Sequence, residues 1–407
     1  METPYLTPTG EVAPVSNNSD INSDVESSGR AEKPKPLLAD VDNEMKEGSL
    51  AQVFYLALPS FAVFFAVTIY APLVNRLKAD YNATAVEYNL NITFALVGLA
   101  LAPIVLIPLL QGLGSKRATL CSWLLFIVFD IGSAFVKNLG GLVVLRFFGF
   151  LFGGPVLSLF LTSLVQLTRT RSQHFVFSLA SATCLLGISL GPLVGGLIEG
   201  HAIGKNQDWS RYLVPILCLV AILPYAVFGS QSLALVSSTP NSSPTNTSER
   251  FFQRIKSQYT SFIKPFIHFN TKELIVIGIT LYVSQLYFFF LVTLAGFPYA
   301  FGQIRGYNPS EIALTYLSLI VGVILSTLLP LITIRQRSFS TSSNKQPEAA
   351  LRDMLFAIIL IPVGLFLFAW TGSMPKVHWA APMVGIILFA FGSNVTITHL
   401  NVYLANV

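Results

Sequence analysis

The sequence predicts an all-α membrane protein that crosses the bilayer many times. The 407 residues are 53% hydrophobic and only 11% charged, whereas a soluble domain needs roughly 25% charged residues to cover a water-facing surface. The apolar residues gather in runs of about 20, the length at which a helix crosses the hydrocarbon core. Ten of the twenty acids lie before residue 48, so the rest of the chain is poorer still in carboxylates.

Residues 1–49 read as a disordered, acidic tail rich in Ser, Asn and Pro. The tail has neither the basic segment nor the apolar core of a cleavable leader, so the first span is expected to direct insertion. Ten apolar runs follow, at 50–72, 90–111, 118–136, 141–166, 175–198, 211–233, 273–299, 310–334, 353–371 and 380–404. The one long gap, 234–272, opens with a flexible polar stretch, SSTPNSSPTNTSER, and continues with RFFQRIKSQYTSFIKPF. That second part is basic and amphipathic, suited to lying on a membrane surface. The organisation expected is a six-helix bundle at 50–233, a linker at 234–272, and a further helical unit at 273–407.

A pI near 9.0 raises the question of nucleic acid. The bases lie instead in short loops between apolar runs, which is the pattern of membrane orientation. Thirteen Lys and Arg occupy one side, among them Lys116, Arg117, Arg169, Arg171, Arg254 and Arg335, against seven on the other, from Arg76 to Lys376. The richer side is expected in the cytosol together with the N-terminus. The sequon at Asn82 then falls in the first external loop, where glycosylation is expected to be available, while Asn241 and Asn246 lie in the cytosolic linker.

The chain also repeats itself. Glu87, Leu90, Val97 and Gly98 follow the pattern E-x2-L-x6-V-G, and Glu311, Leu314, Val321 and Gly322 repeat it 224 residues later. Each copy opens a spanning helix, the second and the eighth, after a helix with a proline near its external end, Pro72 and Pro298. Two duplicated halves flanking a linker are the plan of transporters that bind at the bilayer midplane.

Few residues carry chemistry. Asp130 is the only carboxylate in the middle of a span, within WLLFIVFDIGSAF. Keeping it charged in hydrocarbon is costly, so it is expected either to exchange a proton or to pair with Arg146 of the fourth span. For Arg146 the alternative is snorkelling to the interface. Glu199 and Asp353 stand at span ends within reach of water, and His399 reads as a hydrogen-bonded packing residue. Cys121, Cys184 and Cys218 fall inside apolar runs and read as small buried hydrophobes, with no metal or disulfide spacing. Tyr282, Gln285 and Tyr287 in the aromatic seventh span are the candidates for a substrate-cavity wall, since aromatic faces attract cations. Packing or lipid contact explains each of them singly.

Several motifs together resemble the major facilitator superfamily, and within it the fungal twelve-span drug:proton antiporters, which include polyamine and multidrug exporters. The fifth span carries Gly187-Ile-Ser-Leu-Gly191-Pro192-Leu-Val-Gly195-Gly196, matching G-x3-G-P-x2-G-G. The fourth opens Arg146-Phe-Phe-Gly149, similar to R-F-x-x-G. The ninth reads Pro362-Val-Gly364-Leu-Phe366-Leu-Phe-Ala-Trp370-Thr371, followed by His378-Trp379, similar to the family's P-x-G-L-F-x-F-x-W-T block.

The resemblance implies a major facilitator fold with a six-helix N-terminal bundle. It also implies proton-coupled export of small molecules across the plasma membrane by a monomer with no cofactor and no metal. Gly187, Gly191 and Gly195 recur every four residues, so they share a helix face on which a neighbouring backbone can approach closely. Pro192 removes one hydrogen bond and is expected to bend the helix.

Two departures stand against the family pattern. The loop after the second span should read D-R-x-G-R-R/K. Here Gln111 and Gly112 replace the acid and first arginine, while Gly114, Lys116 and Arg117 remain. Twelve-span members also continue for two more helices, which complete the second bundle and face the motif-bearing fifth. Against them this chain reads as truncated, with a four-helix second bundle. The alternative to a working exporter is therefore a non-transporting relative, an inactive product or a membrane scaffold or sensor. An enzyme is not expected, because no paired carboxylates, His clusters or nucleophile–base spacings occur. No phosphate-binding loop is present to let ATP drive the process.

Overall fold

A computed structural model describes residues 57–72, 81, 84–111, 115–167, 173–201, 209–234, 260, 263–264, 266–268, 271–337 and 348–406. The tail, most of the linker, Asn82 and Gly114 lie outside the described residues. Among the described residues every regular element is a helix, as a chain without water to satisfy its backbone must be.

The first helix is α1 (Ala57–Thr68). Five follow before the linker: α2 (Ala85–Gln111), α3 (Ser115–Phe135), α4 (Leu139–Leu167), α5 (Gln173–His201) and α6 (Trp209–Ala234). After it come α7 (Leu274–Phe297), α8 (Pro309–Thr315 and, past a break at Tyr316, Leu317–Arg337), α9 (Glu348–Gly372) and α10 (Ala380–Asn406). Eight of them are long and apolar enough to cross a membrane, and the described apolar parts of α1 and α6 are shorter. Each expected span thus has its helix.

Besides a small core at Ala57, Phe160, Val176, Ala180 and Tyr225, burial gathers the helices around two large ones. One gathers α1–α4 and α6 around Tyr88, Trp123, Phe126 and Phe150. Its ties include the Trp123 indole, which donates to the Cys218 carbonyl at 3.2 Å and so holds α3 to α6. The other gathers α7–α10 around Phe290, Phe297, Tyr316 and Phe389, and takes in Leu185 and Ile188 of α5. Of the eight long spans α5 is the most enclosed, with 72% of its spanning window buried against 11% for that of α7. Leu281, Phe288, Phe356, Phe366 and Trp370 point outward, the expected lipid-facing population.

The 224-residue repeat has a structural meaning. Glu87 and Glu311 are the third residues of their helices and reach back to the N-caps: Thr84 N donates to Glu87 at 2.8 Å, and Asn308 N donates to Glu311 at 2.9 Å. Both are capping boxes. The glycines eleven residues on are places of close approach. A methyl group at Gly322 would lie 2.6 Å from the Ile387 carbonyl oxygen of α10, and one at Gly98 would collide with the Phe147 carbonyl of α4. In each half, therefore, the second helix is capped by the glutamate and packed by the glycine against the fourth.

The correspondence extends beyond the motif. Tyr70 and Leu294 also stand 224 residues apart, and each carbonyl accepts a tyrosine hydroxyl from the next helix. Tyr88 donates to the first at 2.5 Å and Tyr316 to the second at 3.0 Å. The need is plain at Leu294, whose usual helical donor would be residue 298, a proline without an N–H. Past that proline the helix widens into a π turn, Pro298–Gln303. Gly306, at φ 73°, then reverses the chain in a conformation that favours glycine.

Candidate functional site

The glycines of α5 pack it on α1 within the first half and on α8 across the seam between the halves. A methyl group at Gly187 would lie 2.7 Å from the Phe61 carbonyl, and one at Gly191 would lie 2.9 Å from Ile69 N. Gly195 presses on the Ile69 carbonyl, so α1 covers three glycines in succession. Gly196 turns toward the second half, where a methyl group would meet Ala313 Cβ at 2.8 Å, and Gly200 abuts Ser310. The helix runs continuously through Pro192. The face expected against two further helices is thus covered by α1 and α8, for which Cβ-free positions leave the backbones room to touch.

Beside α1 lies a buried ionic group. Asp130 of α3 is 7% exposed and Arg146 of α4 is 3% exposed. Arg146 does not snorkel to the interface. Its Nη2 donates to the Ala66 carbonyl at 2.6 Å, and its guanidinium lies 4.3 Å from the centre of the Tyr70 ring and 5.3 Å from that of Phe150. Its Nε and Nη1 have no hydrogen-bond partner, nor has Asp130 Oδ2, so the two side chains are not paired here. Asn91, fully buried on α2, likewise has no partner for its amide. Buried polar groups left open in this way are uncommon.

The three cavity-wall candidates of α7 divide between two faces. Tyr282 and Gln285, with Phe289, line a cavity of about 500 Å³ whose other wall is α9, at Ile361, Pro362 and Leu365. Tyr287 points the other way and stacks on Phe64 of α1 (ring centroids 6.4 Å apart, planes 9° apart). It therefore stands at the seam, and the other two do not.

A polar cluster crosses the same seam. Ser181 of α5 donates to the Asn394 side-chain oxygen at 2.7 Å and lies 3.0 Å from the Thr398 hydroxyl, both on α10. The Asn394 amide donates to Ser326 at 2.8 Å and to Thr327 at 3.3 Å, both on α8. Seven residues before Ser181 on α5, His174 faces His399 of α10 with ring centroids 5.3 Å apart. His399 donates from Nδ1 to the Val395 carbonyl at 2.8 Å, which fits the packing role expected of it. The signal for this cluster was the run Ser393-Asn-Val-Thr-Ile-Thr-His-Leu-Asn401, unusually polar for a span.

With this geometry in place, comparison with known proteins decides the family. The Major Facilitator Superfamily model matches residues 56–407. The chain belongs to the Major Facilitator Superfamily. Among fungal relatives, Transporter mfs1 of Schizosaccharomyces pombe is 26% identical over 88% of this chain and 70% of its own length. The cycloheximide resistance protein of Candida maltosa is 25% identical over 84% and 65% respectively. Across the relatives compared, the chain spans 59% to 70% of their length. The fold is similar to that of the proton:xylose symporter XylE bound to 6-bromo-6-deoxy-D-glucose, with a TM-score of 0.59 at 14% identity, covering 87% of this chain and 81% of that one.

A major facilitator is not an enzyme. Among the described residues, no group of three or more His, Cys, Asp or Glu stands where it could hold a metal ion. Of the residues at the altered loop of this facilitator, Gln111 ends α2 and Arg117 is exposed at the start of α3.

Proposed function

We propose that this facilitator is a secondary active transporter that exports organic cations or drug-like small molecules from the cytosol in exchange for protons. The observation that carries the reading is the α5 seam. A helix of the first half lies backbone-close to α8 of the second along Gly196 and Gly200, a contact with few side chains to disengage when the halves rock. Asp130 and Arg146, buried and unpaired, are the proposed proton-coupling groups. Substrate would enter between the halves past Tyr287 and Phe64, and Tyr282 and Gln285 would offer a second contact surface off the seam, in the cavity against α9. Export of a xenobiotic agrees with the similarity to a cycloheximide resistance protein. The facilitator would act as a monomer in the plasma membrane with its N-terminus in the cytosol, in keeping with the distribution of Lys and Arg.

The test is accumulation of ethidium, and separately of cycloheximide, in host cells with and without the protein. Expression should lower the accumulation of one or both, and a protonophore should restore it. The non-transporting reading is favoured by Gln111 and Gly112 where the resemblance has an acid and an arginine. It predicts unchanged accumulation although the protein is present in the membrane.

A further inference from the structure

We infer that the contact centred on Asn394 is a polar latch that closes one end of the seam and must break for the halves to part there. This rests on the proposed alternating access. Asn394 is fully buried and makes hydrogen bonds in both directions. Its oxygen accepts from Ser181 of the first half at 2.7 Å, and its nitrogen donates to Ser326 and Thr327 of α8 at 2.8 and 3.3 Å. Thr398 donates within α10 to the Asn394 main-chain carbonyl at 2.8 Å, and its hydroxyl lies 3.0 Å from Ser181, which completes the ring of contacts. One amide thereby ties three helices together across the seam.

The chemistry suits both positions of such a joint. Closed, every member finds a partner, which a buried amide in low dielectric requires. Opened, the same side chains face an aqueous path and exchange their partners for water. An apolar seam would have nothing to offer that water. The two ends of the α5 seam are thus built differently: small-residue packing at Gly196 and Gly200, and a hydrogen-bonded ring at Ser181. The ring stands near the start of α5 and toward the end of α10, where the charge distribution puts the cytosol. The His174–His399 contact, with ring centroids 5.3 Å apart, continues the closure outward.

Cys184, three residues beyond Ser181 on α5 and partly exposed, reports on the latch. In a Cys121→Ser, Cys218→Ser background, its labelling by a membrane-impermeant maleimide is measured from the cytosolic face of inside-out vesicles. Asn394→Ala should speed labelling about fivefold or more, the range expected when a coupling between two conformers is removed. Ser181→Ala, which removes only the first-half partner, should speed it as well. Ser393→Ala, a neighbour outside the ring, should label at the parent rate. Parent-rate labelling in both Asn394→Ala and Ser181→Ala overturns the latch. The readout needs no transport, so faster labelling without ethidium efflux would uphold the latch and remove the export reading.

Discussion

Asp130 and Arg146 lie on consecutive helices, each buried and each with polar atoms left open. Arg146 is held from outside the pair, by the Ala66 carbonyl and the Tyr70 ring, so its position does not depend on Asp130 being charged. The proposed proton exchange at Asp130 would therefore leave the arginine in place. Asp130→Asn, nearly identical in shape, should leave the protein folded while making efflux insensitive to pH, as measured over a range of external pH. A second prediction concerns Tyr316, whose hydroxyl meets the Leu294 carbonyl that Pro298 leaves without its helical donor. Tyr316→Phe should cost about 1–3 kcal/mol of stability, the cost of a buried acceptor without a partner, read as a lower unfolding midpoint in detergent. At this scale, the sequence showed that Asp130 and Arg146 were exceptional, because charge inside an apolar run is visible in one dimension. It showed nothing of Tyr316, because a tyrosine in a span looks the same whether its hydroxyl meets lipid headgroups, water or a carbonyl.

Among the elements, α2 and α8 were the most legible, since the repeated glutamate and glycine are local signals. The capping boxes at Glu87 and Glu311 explain the first residue of the motif, and close packing on α4 and α10 explains the last. Glu311→Ala should destabilise by about 0.5–2 kcal/mol, the range for lost helix caps, and Glu87→Ala should behave alike if the halves are equivalent. Both are read by thermal unfolding. The glycines of α5 predict a larger effect, because a side chain there has a backbone to displace. Gly191→Leu should cost upwards of about 1–3 kcal/mol, the overpacking range, and should lower both membrane expression and thermal stability. The α7 face and the α10 run were less legible. Tyr282 and Tyr287 are five residues apart and share an aromatic stretch, yet one meets α9 and the other α1. Which side of a uniformly apolar helix faces a neighbour is decided by packing, not by periodicity. The Asn394 partners lie 213 residues away on α5 and 68 and 67 away on α8, a separation that no local pattern encodes.

The whole molecule is organised by α5, which buries one face on α1 and another on α8 and α10. The eight long apolar helices could be read beforehand because lipid imposes a length and a composition on each. The helix that would occupy the centre could be inferred only from its glycines. Under the proposed alternating access, glycine packing at one end of the seam and a hydrogen-bonded ring at the other would form a joint whose two ends open separately. Proton-coupled export through that joint is tested most directly with purified protein in liposomes, by following ethidium accumulation driven by an imposed proton gradient. The parent protein should accumulate ethidium on the acidic side and stop when the gradient is collapsed. Asp130→Asn should lose the gradient-driven accumulation while still exchanging ethidium across the membrane. Accumulation in the parent that ignores the gradient, or gradient-driven accumulation that survives Asp130→Asn, would contradict proton coupling at this site.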